Sequence, residues 1–202
     1  DGRTTLNIGT GYRYMTPDEH WLLGINAFYD HEFPYDHQRS SVGLELRSSV
    51  VEFNANQYFA LTDWKVGANG LDERALDGFD IEAGVALPFM PGGRIYHRQF
   101  KWDSVDGAPD LEGSTTRLAI AGDLLVPGLT FEVGVTDYNG DRENSEFAQL
   151  TYRYTVGEKT VTPLFSDKAF ELKSMRDSRL DKVRRENRIV KQARGRGTVS
   201  FR

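Results

Sequence analysis

Most of the chain alternates between apolar residues and polar or small ones, which is the period of a β-strand with two different faces. Between Trp21 and Asp30 the odd positions are apolar, and most of the even positions are small or polar. The same alternation starts near Leu6 and recurs as far as Tyr154. It predicts about nine antiparallel strands of roughly 9–13 residues, a length that suits a tilted strand crossing a bilayer. Only 94–102 has no clear orientation, because its aromatic residues share a parity with arginines.

The two parities predict two different environments. We expect the apolar parity to face a membrane, with Tyr12, Tyr14, Trp21, Leu23, Ile25, Phe53, Phe131 and Val133 among its residues. We expect the polar parity to line a wet lumen, with Arg13, Asn26, Asp30, Glu45, Arg47, Glu52, Asn54 and Asn56 among its residues. A soluble β-sandwich alternates equally well, but its strands usually run to only about 5–6 residues. The pattern therefore favours an all-β, antiparallel transmembrane β-barrel.

The predicted connections alternate between short turns and longer polar loops. The short turns are 16–19, 48–49, 88–93 and 126–128, and the longer loops are 31–38, 62–77, 103–113 and 139–144. Outer-membrane barrels have short turns on the periplasmic side and long loops outside. The last strand then ends in the periplasm near Thr155. Counting back through an odd number of strands places residue 1 outside the cell, so we expect further strands upstream.

The C-terminal stretch from Ser174 to Arg202 is dominated by charge instead of alternation. Leu180 and Val183 are three residues apart, which predicts a short helix that is polar nearly all round. Such a helix needs surroundings that stabilise it, and a polar lumen would provide them. The alternative is a solvated basic tail.

Composition removes several classes of function. No apolar run approaches the roughly 18 residues of a membrane-spanning helix. The net charge of -5 argues against nucleic acid as a partner. The chain has no cysteine, so disulfides, zinc–cysteine sites and thiol nucleophiles are absent from it. We expect no cofactor.

Two alternatives to a barrel anchor start from local features. Asp30-His31 and Asp36-His37 flank an outer loop, where a hydrolase could activate water or a divalent metal could bind. Such pairs arise easily by chance, so we expect no catalytic, cofactor or metal residues. The second alternative is a passive porin whose tail stays in the periplasm.

Several spaced motifs resemble those of one family. In the strand region they are Gly9-x-Gly11-x-Arg13, Gly24-x-Asn26-x-Phe28-x-Asp30, Arg39-x-x-x-Gly43-x-Glu45, and Gly78-Phe79-Asp80 running on to Leu87-Pro88. In the tail the motif is Ser178-Arg179-x-Asp181-x-Val183-x-Arg185-x-Asn187-x-Ile189-Val190. Together they resemble the β-barrel translocator domain of the inverse autotransporters, the intimin and invasin family. After Val190 the chain departs from that pattern.

The resemblance implies a twelve-stranded barrel in the outer membrane of a Gram-negative bacterium, with the last nine strands present here. It implies a partial barrel over 1–155, a periplasmic turn over 156–173, and a pore-threading linker over 174–202. The linker would form a short helix in the lumen and exit to the cell surface with a passenger that is often an adhesin. Its residues would include Arg179, Asp181, Val183, Arg185, Asn187, Ile189 and Val190.

The partners implied are outer-membrane lipid, lipopolysaccharide, the protein's own passenger, the barrel-assembly machinery and periplasmic chaperones. Homodimerisation of the full-length protein stays open. No adhesin domain lies within these residues, so adhesion is not assigned to them. We expect Arg179, Arg185 and Asn187 to pair with acidic and amide groups of the lumen.

Overall fold

The computed structural model describes residues 2–121, 126, 128–152, 154, 163–195 and 198–201. The predicted boundary at 155–156 lies outside these residues, as do the first part of the predicted periplasmic turn and the strand end at 122–125. The strands are β1 (Thr4–Met15), β2 (Leu22–Phe33), β3 (His37–Arg47), β4 (Val51–Ala60), β5 (Lys65–Val66), β6 (Asp72–Ala75), β7 (Asp77–Leu87), β8 (Met90–Asp103), β9 (Leu111–Ala121), β10 (Leu129–Tyr138), β11 (Ser145–Tyr152), β12 (Lys191–Gly195) and β13 (Thr198–Phe201).

Nine of these strands form one antiparallel sheet in the order β1-β2-β3-β4-β7-β8-β9-β10-β11. Each strand pairs with the next long strand along the chain, as in a meander. The prediction of an all-β antiparallel architecture is confirmed. Strands β1 and β11 lie at the two edges of the sheet, so the strands described here do not close into a barrel.

Alternation in sequence becomes a difference between the two faces of the sheet. In β7, for example, Phe79 and Ile81 are exposed while Asp80 and Glu82 are buried. Ile25 and its neighbours repeat this pattern in β2. Residues 163–195, which we call the C-terminal segment, pack on the polar side of the sheet. We therefore call the polar side the covered face and the apolar side the open face.

The connections also follow the predicted asymmetry, with two differences. The predicted turn 88–93 shortens to residues 88–89, because β8 begins at Met90. We call the end of the sheet where the predicted short turns lie the turn end, and the opposite end of the strands the loop end. The predicted long loop 31–38 shrinks to residues 34–36, because β2 and β3 stay paired as far as Glu32 opposite His37. The connections 61–76 and 104–110 at the same end remain long.

Glycines on the covered face make room for large side chains on neighbouring strands. A Cβ at Gly84 would lie 2.4 Å from Cδ1 of Tyr96, and one at Gly24 would lie 2.4 Å from Oε1 of Glu45. The space that these glycines leave is therefore filled by the sheet's own side chains.

The strand that sequence left without an orientation is β8. Its buried aromatic residues, Tyr96, Phe100 and Trp102, lie on the covered face. Arg98 shares this face and bonds to buried Asp80. Aromatic and arginine residues share one parity because the arginines are ion-paired there.

A second sheet joins the C-terminal segment to the loop between β4 and β7. Its order is β13-β12-β6-β5. Strand β12 pairs antiparallel with β6, from Lys191 opposite Ala75 to Arg194 opposite Asp72. The C-terminal segment thus extends a hairpin that belongs to the loop end.

The predicted helix around Leu180 and Val183 is wrong. The segment forms one 3-10 turn at Arg176–Ser178 and is then irregular up to β12. Several of its carbonyl oxygens accept hydrogen bonds from side chains of the sheet, which hold this stretch against the covered face. Of the helical segments described in the structure, none is long and apolar enough to span a membrane.

Candidate functional site

The C-terminal segment begins its path at the turn end of the sheet. The backbone N–H of Met175 donates to the carbonyl of Glu19, at 2.8 Å, in the β1–β2 turn. The N–H of Lys173 donates to Oγ of Ser49, at 2.8 Å, in the β3–β4 turn. Arg176 forms an ion pair with the Glu19 carboxylate. These contacts tie the segment to two separate turns.

The Glu19 carboxylate lies outside the paired strands and is held in its charged form. Hydrogen bonds from Arg176 and then from Ser174 lower the pKa of Glu19 below its usual value. Both donors belong to the C-terminal segment, so this attachment depends on pH.

Further along, the segment crosses the covered face through Asp181. Arg47 bonds to its carboxylate at 3.0 Å. Nη1 of Arg13 donates to the carbonyls of Arg179, at 2.8 Å, and Asp181, at 2.7 Å, while its Nε donates to Glu45 at 2.7 Å. The sheet therefore holds the backbone of the segment as well as its side chains.

Asp30 lies at the centre of the contact and is fully buried. Arg39 of the sheet donates to its Oδ2 from Nε, at 3.0 Å, and from Nη2, at 2.8 Å. Arg185 of the segment donates to Oδ1 at 2.9 Å, and its guanidinium lies 4.4 Å from the ring centroid of Phe28. Two arginines from different parts of the chain thus share one carboxylate.

Arg184 makes a parallel set of contacts on the other side of the segment. It donates to the hydroxyl of Tyr96 at 2.7 Å, and its guanidinium lies 4.1 Å from that ring. Its Nε is 3.3 Å from Oε2 of Glu52. Arg184 occupies an unspecified position of the tail motif, although the adjacent arginines at 184 and 185 are visible in the sequence.

Glu186 connects the segment to a network around Asp80. Arg98 bridges Oδ2 of Asp80, at 3.0 Å, and Oε2 of Glu186, at 3.3 Å. The hydroxyl of Tyr58 donates to Asp80 at 2.8 Å and accepts from the Glu186 N–H at 2.7 Å. Arg98 and Tyr58 of the sheet therefore each join Asp80 to Glu186 of the segment.

The path ends at the loop end. The side chain of Gln192 bonds to both the N–H of Val105, at 2.9 Å, and its carbonyl, at 3.2 Å. Arg194 pairs with Asp106 at 3.0 Å. The segment thus crosses the covered face from the turn end of the sheet to the loop end.

The two predicted sets of residues differ in burial. Those assigned to the polar parity are buried on the covered face, and Arg13 has a side chain that is 12% exposed. Of the apolar set, Trp21 and Val133 are half-buried and the others are exposed.

The predicted linker residues differ in what they contact. Ile189 is buried, and Val190 packs against the cluster that includes Trp102. The carbonyl of Asn187 accepts from the side-chain amide of Asn7 at 3.0 Å, when that amide is placed in its satisfied orientation. Arg179 is exposed, and its carbonyl makes the contact with the sheet.

The two Asp-His pairs do not form one rim site. His31 is near Asp36, with Nε2 3.1 Å from Oδ1. His37 is fully buried and faces Glu73 instead. Asp30 is saturated by two arginines, so it is not a free carboxylate that could activate water.

An apolar open face opposite an ionic covered face that the chain itself fills defines a membrane-type β-domain. The profile of the inverse autotransporter β-domain matches residues 1–187. The chain belongs to this family, and its relatives are outer-membrane proteins of Gram-negative bacteria that serve as adhesins and translocators, not enzymes.

Three relatives show the range of the family. The chain is 28% identical to the inverse autotransporter adhesin YeeJ of Escherichia coli K12, over 98% of this chain and 9% of that protein. It is 28% identical to intimin of Escherichia coli O127:H6, over 100% of this chain and 22% of intimin. It is also 28% identical to invasin of Yersinia enterocolitica, over 100% of this chain and 25% of invasin. The chain thus spans a quarter or less of the length of these relatives.

A solved chain from work on in-meso crystallization of membrane proteins has the same fold. The TM-score is 0.78 at 23% identity, covering 96% of this chain and 82% of that one.

Proposed function

We propose that this chain is the membrane anchor and export pore of a surface adhesin, and that its C-terminal segment fills the pore once the passenger has passed. The observation that supports this most strongly is the path of 163–195, which crosses the covered face from the turn end to the loop end. A segment that only packed beneath the sheet would not have to reach both the turn end and the loop end.

The two faces suit opposite solvents. The open face carries large apolar side chains in the middle of its strands, such as Ile25 at 59% exposure and Leu44 at 59%. A bilayer offers no hydrogen-bond partners, so the unpaired backbone groups along β1 and β11 would need partners from other strands. Three further strands of the same domain would close the sheet into a twelve-stranded barrel.

The direction of the segment supports the proposed direction of export. Short turns lie in the periplasm of outer-membrane barrels. The segment contacts those turns first, through Met175, and reaches the loops later, through Arg194. A passenger that continues the chain would therefore lie outside the cell.

The covered face explains how one wall could serve two states. Glu52, Asn56 and the other polar groups of this face can hydrate an extended polypeptide in transit. After export, the same groups bond to the segment, as Asn56 does to the carbonyl of Arg184 at 3.0 Å. The covered face can therefore contact a passenger of any sequence during export and still bind the C-terminal segment afterwards.

Single cysteines test the orientation, because the chain has none of its own. Asp141, between β10 and β11, and Asp167, near the turn end, are both exposed. An impermeant maleimide should label Asp141→Cys on intact cells, and Asp167→Cys only after the outer membrane is permeabilised. The reverse pattern would contradict the proposed orientation.

A passive porin with a periplasmic tail is the competing function. Protease added to intact cells separates the two, because it should cut between Arg194 and Arg202 if the tail exits and should not if the tail stays inside. The pairing of β12 with β6 at the loop end favours the first outcome.

A further inference from the structure

A cluster of ligand-type side chains lies at the loop end of the sheet, apart from the contacts described above. Glu32 is near the end of β2, His37 begins β3, and Glu73 lies in β6. Their side chains are buried, with exposed fractions of 3%, 0% and 1%. One ligand atom from each lies within 4.8 Å of the others.

His37 is the unusual member of the cluster. In the described part of the chain, neither of its ring nitrogens has a hydrogen-bond partner, and neither does Oε2 of Glu73. Nε2 of His37 faces that oxygen at 3.5 Å. A buried polar group without a partner keeps its full desolvation cost, so these two atoms point to a ligand between them.

We propose that Glu32, His37 and Glu73 form a binding site for a divalent transition-metal ion of the Zn²⁺ type. Imidazole nitrogen and carboxylate oxygen are both ligand types that Zn²⁺ takes in proteins. Metal–ligand distances of about 2.1 Å place tetrahedral ligands about 3.4 Å apart. Metal binding therefore requires these ligand atoms, now within 4.8 Å of one another, to move closer together.

Two cations already face this cluster. Arg3 donates to Oε1 of Glu32 at 2.6 Å and to Oε1 of Glu73 at 2.8 Å, which leaves the second oxygen of each carboxylate. Lys191, the first residue of β12, pairs with Oε2 of Glu32. Of the three ligand positions, Oε2 of Glu73 and the imidazole of His37 are therefore free. The third, Oε2 of Glu32, is held by Lys191 of the C-terminal segment.

A divalent ion and Lys191 cannot both occupy this position, because their charges repel at such short range. Metal binding and seating of Lys191 therefore oppose each other, and this coupling must be reciprocal. Removing the lysine charge should strengthen metal binding. The site does not depend on the proposed export function, because all its ligands belong to the loop end.

The test is calorimetric titration of the complete protein in detergent with zinc chloride, after treatment with a chelator. Lys191→Met should bind about one Zn²⁺ at least about tenfold more tightly than the wild type. His37→Ala should lose this binding in the Lys191→Met background. His31→Ala is the matched control, since its histidine lies near Asp36 and not in the cluster.

Folding of each variant is checked by its heat-dependent mobility on a gel. If His37→Ala does not fold, His37→Gln replaces it, and Co²⁺ absorption shows directly whether an imidazole binds the metal. The proposal is overturned if Lys191→Met binds no zinc, if it binds no more tightly than the wild type, or if His31→Ala removes the binding while His37→Ala does not.

Discussion

The contact between Arg185 and Asp30 gives the sharpest test of the proposed plug, through the substitution Arg185→Ala. The side chain of Arg185 is 1% exposed and that of Asp30 is 0% exposed. The substitution removes the segment's hydrogen bonds to this carboxylate. Arg39 still donates to Oδ2 from two nitrogens, at 3.0 and 2.8 Å, so no buried charge is left without a partner.

The expected cost is that of hydrogen bonds to a charged group, about 1.5–3 kcal/mol. Since about 1.4 kcal/mol changes an equilibrium constant tenfold, a loss of about 2 kcal/mol raises the unseated fraction of the segment about 30-fold. Asp30→Asn should cost more, about 3–5 kcal/mol, because it leaves the buried guanidinium groups of Arg39 and Arg185 facing a neutral amide. It should therefore destabilise the sheet as well as the segment.

Single-channel recording of the complete protein in planar bilayers measures this equilibrium as the fraction of time that the channel is open. Arg185→Ala should open far more often than the wild type, with an unchanged heat-dependent gel shift. The matched control is Arg188→Ala, which removes an exposed arginine from the same segment. If both variants are as quiet as the wild type, the segment does not block the pore in the manner proposed.

Two further predictions concern the turn end and the open face. The lowered pKa of Glu19 means that its contribution is complete above the carboxyl's unfolded pKa and is lost as the pH falls through its folded pKa. The segment around Arg176 should therefore exchange its amide hydrogens faster in acid, after correction for intrinsic rates, and Glu19→Gln should lose this pH dependence. On the open face, Val42→Arg at mid-strand should lower the free energy of unfolding in lipid by about 2–4 kcal/mol. Val66→Arg, in the loop strand β5 and 67% exposed, should change it little, and equal effects of the two would argue against a bilayer around the sheet.

Sequence located the strands because their two faces meet different surroundings. Residues such as Ile25 and Asn26 are adjacent in the chain but lie on opposite faces, and this alternation is a local property. The orientation of β8 could not be read in the same way. Its arginines lie among buried aromatics because carboxylates on other strands, such as Asp80 of the adjacent β7, neutralise them.

The linker shows where local reasoning fails. The spacing of Leu180 and Val183 predicted a helix, in which the backbone carbonyls would bond to N–H groups of the next turn. In the structure those carbonyls are engaged by Arg13, Arg39 and Asn56 of the sheet. The charge of the segment was visible in sequence, whereas its conformation depends on the surface beneath it.

What the sequence determined by itself was the all-β architecture, the two-faced sheet and the family, because each rests on residue types at short, regular spacing. Only the tertiary structure decided which charges pair, that β12 joins β6, and that His37 faces Glu73 and not its neighbour Asp36. The physical reason is that these contacts join residues far apart in the chain. Their formation depends on strand register and on which groups remain unpaired once the sheet has formed.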